Sequence, residues 1–220
     1  MNHALFDEFL SNDAIAAVFD APALVQAMLD MEAALARAQA ECGLIPQAAA
    51  EVIAQAAQVG ALDVGALLQA GRRAGSLAIP LVKQFTAHVA TLDADAARFV
   101  HKGSTSQDVL DTAMALQSRR GLALILQELD AVSAVLHTLA QDHAGTPVLA
   151  RTLMQPATVT TVGYKFALWR GALGRARAAL ARQGEAALAV QLGGAVGTLS
   201  AMGDAGSAVR AAMGRQLGLR

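Results

Sequence analysis

Apolar positions recur every three or four residues along most of this chain, a spacing that predicts helices rather than strands. The first clear helix is expected at about 22–42, where Leu24, Met28, Met31, Leu35 and Ala38 share one face. Asp20 is placed to cap it, Pro22 suits its first turn and Gly43 its end. Further helices are expected at about 47–59, 64–70 and 80–91, with Gly71 and Gly75 bracketing a loop before the last of these. From 106 to 142 there is no proline, and Gly121 is the only glycine. Val109, Thr112, Leu116, Leu122, Leu126, Leu129, Val132, Leu136 and Leu139 draw a stripe along it. The spacing predicts a single helix about 54 Å long, at about 1.5 Å per residue. A second long helix is expected at about 159–182, then a glycine-rich stretch at 193–206 and a final helix from about 207 to 220. A self-contained bundle usually needs four long helices, so the chain reads as cut before its bundle is complete. The expected fold class is all-α: a small N-terminal helical domain, 1–105, then the first part of a long-helix bundle, 106–220.

Composition narrows the function classes. The 220 residues are 55% hydrophobic with a net charge of −1, which excludes a disordered chain. Cys42 is the only cysteine, which excludes a disulfide scaffold. Seventeen basic residues face 18 acidic ones, which argues against general nucleic-acid binding. Met1 to Phe9 carries Asp7 and Glu8 without a basic start and does not read as a signal peptide. The uncharged window 186–203 contains Gln191, Thr198, Ser200 and four glycines. It reads as a buried or ligand-facing loop rather than a membrane span. A cytoplasmic protein with no membrane partner is expected.

Three polar clusters are candidates for chemistry. The densest is His101-Lys102-Gly103-Ser104-Thr105-Ser106-Gln107-Asp108, at the start of the long helix. Free N–H groups and the positive end of the helix dipole favour an anion there. A plain capped start, with Thr105 or Ser106 as N-cap and Asp108 in the first turn, accounts for one or two of these residues. The second cluster is Arg151, Thr152 and Gln155, where Arg151 can grip a carboxylate bidentately. An interhelical loop with self-satisfied polar groups is the other reading. The third is Gly193-Gly194-Ala195-Val196-Gly197-Thr198, which has no preceding strand and so is not a dinucleotide fingerprint. Close packing or a pocket wall fits it. His3, His88, His137 and His143 have no metal-like spacing and read as structural or surface residues. Arg119, Arg120, Arg170, Arg175, Arg177 and Arg182 read as solvated helix faces. No metal motif, phosphate loop or catalytic Ser/Cys–His signature occurs. An enzyme built on this chain is expected to need no metal or cofactor and to act on a small polycarboxylate.

Gly103-Ser104-Thr105-Ser106-Gln107-Asp108 with Asp111-Thr112-Ala113 resembles the first signature of the fumarase/aspartase superfamily. Gln107 points within it to the 3-carboxy-cis,cis-muconate cycloisomerases. Met28-Leu29-Asp30, Glu32 to Ala38, Ile79 to Lys83, Arg151-Thr152 with Gln155, and Gly193 to Leu199 resemble the same branch, in the same order along the whole chain. The resemblance implies a fumarase/aspartase-like fold of long helices. It also implies homotetramers whose active sites draw on several subunits. The implied reaction is a cofactor-independent lactonisation in protocatechuate breakdown, the β-ketoadipate pathway. In it a substrate carboxylate adds across its own conjugated double bond. Ser104, Thr105, Ser106, Gln107, Arg151, Thr152 and Gln155 would bind the substrate, with His101 or Lys102 nearby.

There are departures from the pattern. Leu153 stands where many members have histidine, and Pro156 where some cycloisomerases do. The superfamily's mobile Ser-Ser-x-Met-Pro loop has no counterpart, Ser200 to Asp204 resembling it only superficially. The loop is expected in a C-terminal half outside this sequence, and the general acid is not identified. Two alternatives stay open: another superfamily lyase, such as one acting on adenylosuccinate, or a non-catalytic helical assembly module.

Overall fold

The computed structural model describes Leu10 and residues 12–220. His3 and the stretch Met1 to Phe9 lie outside the described residues. The helices are α1 (Asp13–Val18), α2 (Ala21–Glu41), α3 (Gln47–Ala56), α4 (Val64–Ala74), α5 (Ala78–Leu92), α6 (Ser106–Asp142), α7 (Val162–Ala187) and α8 (Gly206–Leu217). Short 3-10 turns occur at Val59–Ala61, Ala96–Phe99 and Ser200–Ala205. The chain divides into two compact units: the part up to Gly121 together with Ala186–Arg220, and Leu122–Glu185.

The first unit is built around α2. Asp20 caps it by accepting from Ala23 N–H at 2.7 Å, and Pro22 sits in the first turn. Almost every residue from Val25 to Gln39 is buried, because α3 covers one side and α8 another. Met28, Leu29, Met31, Leu35, Ile53, Leu67, Leu81, Phe85, Leu116 and Met213 are fully buried. Each such side chain contributes about 1.5–3 kcal/mol of transfer free energy.

Tertiary contacts moved two expected boundaries. The second helix stops at Ala56 rather than near 59. Gln26 on α2 clamps the next residues, donating to Ala57 O at 3.0 Å and accepting from Val59 N–H at 2.8 Å. That pulls residues 57–58 out of the helix and leads into the 3-10 turn Val59–Ala61. Conversely α4 runs through Gly71 to Ala74 and ends at Gly75, φ +68°. Gly71 is tolerated inside the helix because Leu77 packs on it, 3.3 Å from where a Cβ would stand. The glycine of the long helix has a similar reason: a Cβ at Gly121 would lie 3.1 Å from the Phe19 ring.

The second unit holds the rest of α6, a β-hairpin and α7. Asp130 and Arg177 pair bidentately, with Arg177 Nη2 2.7 Å from Asp130 Oδ2. A side chain at Gly163 would strike the backbone of Ala140 and Ala144, and one at Gly184 would strike Leu122. These contacts pair ascending positions of α6 with descending positions of α7, so the two helices run antiparallel.

The strands correct the sequence expectation most clearly. Pro147–Thr152 (β1) pairs antiparallel with Gln155–Thr161 (β2), where a loop and the start of a helix were expected. The helix therefore begins at Val162, not 159. Leu153 and Met154 form the two-residue turn, with φ +46° and +62°. Two positive φ values are the geometry of a type I′ hairpin turn. Such turns ordinarily use Asn-Gly or Asp-Gly, so Leu-Met gives no readable hairpin signal.

Candidate active site

The start of α6 and the glycine-rich segment form one structure, with Asp108 at its centre. Asp108 is 1% exposed. Its carboxylate accepts from Thr105 N–H at 3.0 Å, Gly193 N–H at 2.9 Å and Gly194 N–H at 3.0 Å. One turn further on the same face, Thr112 Oγ1 donates to Gln191 O at 3.0 Å and accepts from Gln191 N–H at 3.0 Å. The buried pair at i and i+4 thus straps residues 191–194 along the first turns of α6. Glycine is required here. Gly194 has φ +72°, and a Cβ on it would stand 3.0 Å from Gly103 O. The sequence reading treated Asp108 as a first-turn acid and Thr112 as part of the apolar stripe. The signal that joins them to the glycines is only their four-residue spacing.

This strapping sorts Ser104, Thr105, Ser106 and Gln107 of the first cluster. Ser104 Oγ leans on Asp108 Oδ2 at 3.4 Å. Gln107 is exposed and donates to Asp111 Oδ1 at 2.6 Å, as a pair along the helix surface. The hydroxyls of Thr105 and Ser106 are half-buried and have no hydrogen-bond partner among the described residues. Val109 N–H bonds back to Thr105 O, so the Ser106 and Gln107 N–H groups remain among the free donors of the first turn. Two hydroxyls beside open backbone donors suit a carboxylate.

A second arrangement beside it was not anticipated from the sequence. Glu32 and Gln39, seven apart on α2, are both 1% exposed. Gln39 Nε2 donates to Lys102 O at 2.6 Å. His101 Nδ1–H donates to Glu32 Oε1 at 2.6 Å. The segment 101–103 is therefore tethered to the core by two buried polar side chains. Lys102 turns away, donating to Leu44 O at 3.2 Å and stacking 5.1 Å over Phe99. Burial by itself pulls the His101 ring toward neutrality. The hydrogen bond and charge of Glu32, with Asp108 adding, outweigh this and hold its pKa above the ordinary 6.5.

The sign of the linkage follows. The folded state binds this proton more tightly than the unfolded one. The His101 contribution to stability is fully present below about 6.5, the unfolded value. It should fade as pH rises through the higher folded value. Chemical denaturation from pH 6 to pH 9 should show that loss, and it should vanish in Glu32→Gln.

In the second unit Arg151 lies exposed on β1, without an ion-pair partner among the described residues. Thr152 and Gln155 are the closing pair of the hairpin. Leu153 and Met154 at its tip are each 93% exposed. Several arginines are not the solvated residues expected. Arg119 donates to the carbonyls of Leu217 and Gly218 at the end of α8, and Arg120 pairs with Asp30 at 2.8 Å. Among the described residues no group of three or more His, Cys, Asp or Glu side chains is placed to hold a metal ion.

Comparison with known proteins fixes the family. The model of a family described as Lyase matches residues 9–218. The chain belongs to this lyase family. It is 45% identical to a 3-carboxy-cis,cis-muconate cycloisomerase of Pseudomonas aeruginosa, over 98% of this chain and 47% of that protein. It is 48% identical to a nitrosuccinate lyase of Streptomyces davaonensis, over 84% of this chain and 39% of the other. Among solved structures it superposes with a TM-score of 0.93 on the 3-carboxy-cis,cis-muconate lactonizing enzyme from Pseudomonas putida, at 42% identity, covering 99% of this chain and 49% of that one. The chain thus spans about half the length of these relatives. The lyase fold expected from the sequence is the one found, with a small hairpin added.

Proposed function

We propose that the protein is a cycloisomerase that lactonises 3-carboxy-cis,cis-muconate without a cofactor, in protocatechuate catabolism. The observation that supports this most is the pair of free hydroxyls, Thr105 and Ser106, at a strapped helix start in a chain so similar to cycloisomerases. Attack of a substrate carboxylate on the conjugated double bond builds negative charge on another carboxylate, in an enolate-like state. Preorganised donors aimed at that charge lower the barrier. Thr105 and Ser106 are the donors the first unit offers, with Ser104 and Gln107 already engaged with neighbours. Arg151, Thr152 and Gln155 are the donors of the second unit, and Arg151 matches a carboxylate bidentately. Holding the attacking carboxylate against the alkene supplies the orientation term. The test is thermal denaturation with tricarballylate, a stable tricarboxylate. Binding to the folded state raises the midpoint; a folded sample with no rise at any concentration contradicts a tricarboxylate site.

A second reading is supported by the 48% identity to a nitrosuccinate lyase. Nitrosuccinate is a small dicarboxylate and would meet the same donors. Offering both compounds to the same preparation separates the two.

We also infer a homo-oligomer. The chain exposes 12919 Å², whereas a folded monomer of this length is expected to expose about 9,500 Å². The excess is apolar in part: Val135, Tyr164, Leu168 and Trp169 are each more than half exposed, and α7 buries only Gly163. Among the described residues α6 is the one helix long and apolar enough, by length and composition, to cross a membrane. Its antiparallel, ion-paired partner α7, with Arg170, Arg175 and Arg182, favours burial against further bundle helices instead. Light scattering should find the 220-residue chain self-associated; a dispersed, stable monomer would contradict this. The single unpaired Cys42 suits a cytoplasmic protein.

A further inference from the structure

The His101–Glu32 pair is poorly explained as a source of stability. Two charged groups taken out of water recover little net free energy from their attraction, and apolar replacements often do as well. Yet Glu32 lies within the fully buried stretch of α2, its side chain 0% exposed, while the His101 side chain keeps 19% exposure. Glu32 Oε2 has no partner among the described residues, so the His101 contact is the one that holds the carboxylate. The backbone is bent to make it: His101 has φ +57°, a region that costs a non-glycine residue about 1–2 kcal/mol. Ser104 N–H closes a turn onto His101 O at 3.3 Å. That turn keeps the histidine beside the start of α6.

With Nδ1 committed to Glu32, Nε2 is the ring nitrogen left to act. It has no partner among the described residues and is not among the buried unpaired atoms. A carboxylate accepting from Nδ1–H fixes the ring's orientation and favours uptake of a second proton at Nε2, so that the protonated ring presents Nε2–H as a donor. We propose that Glu32 is a positioning residue that locks the His101 ring so that Nε2–H donates to a substrate carboxylate held by Thr105 and Ser106. This rests on the tricarboxylate reading above and adds to it a donor that is fixed in place when the ring is protonated, and the buried group that fixes it. The charged groups facing His101 are Glu32 from α2 and Asp108 from α6; Lys102, its chain neighbour, points its ammonium at Leu44 O.

The test is NMR titration of uniformly isotope-labelled whole chain, wild type and Glu32→Gln, with and without tricarballylate, reading both the His101 ring and the backbone amides. In ligand-free wild type the His101 ring should titrate above 6.5, with Nδ1 hydrogen-bonded. In Glu32→Gln the midpoint should fall by about one unit or more, and tricarballylate should bind about tenfold more weakly. A purely structural role for Glu32 would lower stability and move the His101 midpoint but leave tricarballylate binding as tight as in the wild type. Should Glu32→Gln not fold, the wild-type titration decides alone: a midpoint at or below 6.5 overturns the proposal. If tricarballylate moves the Thr105 and Ser106 amides but leaves the His101 ring unmoved, the proposal falls and the carboxylate reading stands. If it moves none of them, the carboxylate reading falls with it.

Discussion

Replacing Asp108 by alanine should lower the thermal midpoint by about 6–12 °C, the shift expected for roughly 3 kcal/mol in a chain of this size. The carboxylate accepts three backbone N–H groups, and the protein offers those amides no other acceptor in the described structure. Buried donors left unsatisfied lose about 1–3 kcal/mol each, although such losses do not add fully. The damage should be local as well as global. Hydrogen exchange at the Gly193 and Gly194 amides should rise far more than at α3, which Asp108 does not touch. Asp108→Asn should fall between wild type and alanine, since it keeps one acceptor but turns an amide donor toward other donors. A midpoint within about 2 °C of wild type would mean that the strap contributes less than 1 kcal/mol, and that the glycine segment is held by something else.

Removing the two free hydroxyls together, Thr105→Ala with Ser106→Ala, should lower turnover by about a thousandfold or more. Deleting a single preorganised donor to a developing anion typically lowers kcat by about 10²–10³. The folded state should hardly notice, because neither hydroxyl has a partner among the described residues, so the thermal midpoint should stay near that of the wild type. That combination separates a substrate role from a structural one. Ser104→Ala and Gln107→Ala should do less, since their groups already bond to Asp108 and Asp111. Equal losses across all four would indicate that the whole turn moves when substrate binds.

The helices were legible because their signals are local. Asp20, Pro22 and Gly43 punctuate α2, and the 37-residue α6 needs only the absence of proline and a stripe of leucine and valine. What escaped was set by distant partners. Gln26 ended α3 early by clamping Ala57 and Val59, and nothing within residues 47–59 announces that. The hairpin at 147–161 lacked the Asn-Gly turn that would have announced it, and Leu153-Met154 hid it. At the site the polar run 104–108 was plain, but its division of labour was not. Asp108 reads from the sequence as a first-turn acid, yet it holds Gly193 and Gly194, 85 and 86 residues away. Glu32 is buried on α2, and no spacing within that helix marks it as the partner of a distant histidine. Its pairing with His101 depends on a left-handed turn that no spacing rule supplies.

The most direct measurement is the loss of conjugated-diene ultraviolet absorbance of 3-carboxy-cis,cis-muconate. It should be made on the purified protein, with nitrosuccinate offered in parallel. The account expects the diene signal to decay catalytically and the Thr105→Ala, Ser106→Ala variant to be nearly silent. A folded, assembled protein that leaves the diene intact while consuming nitrosuccinate would contradict the cycloisomerase assignment, and one that consumes neither would contradict the enzymatic reading altogether.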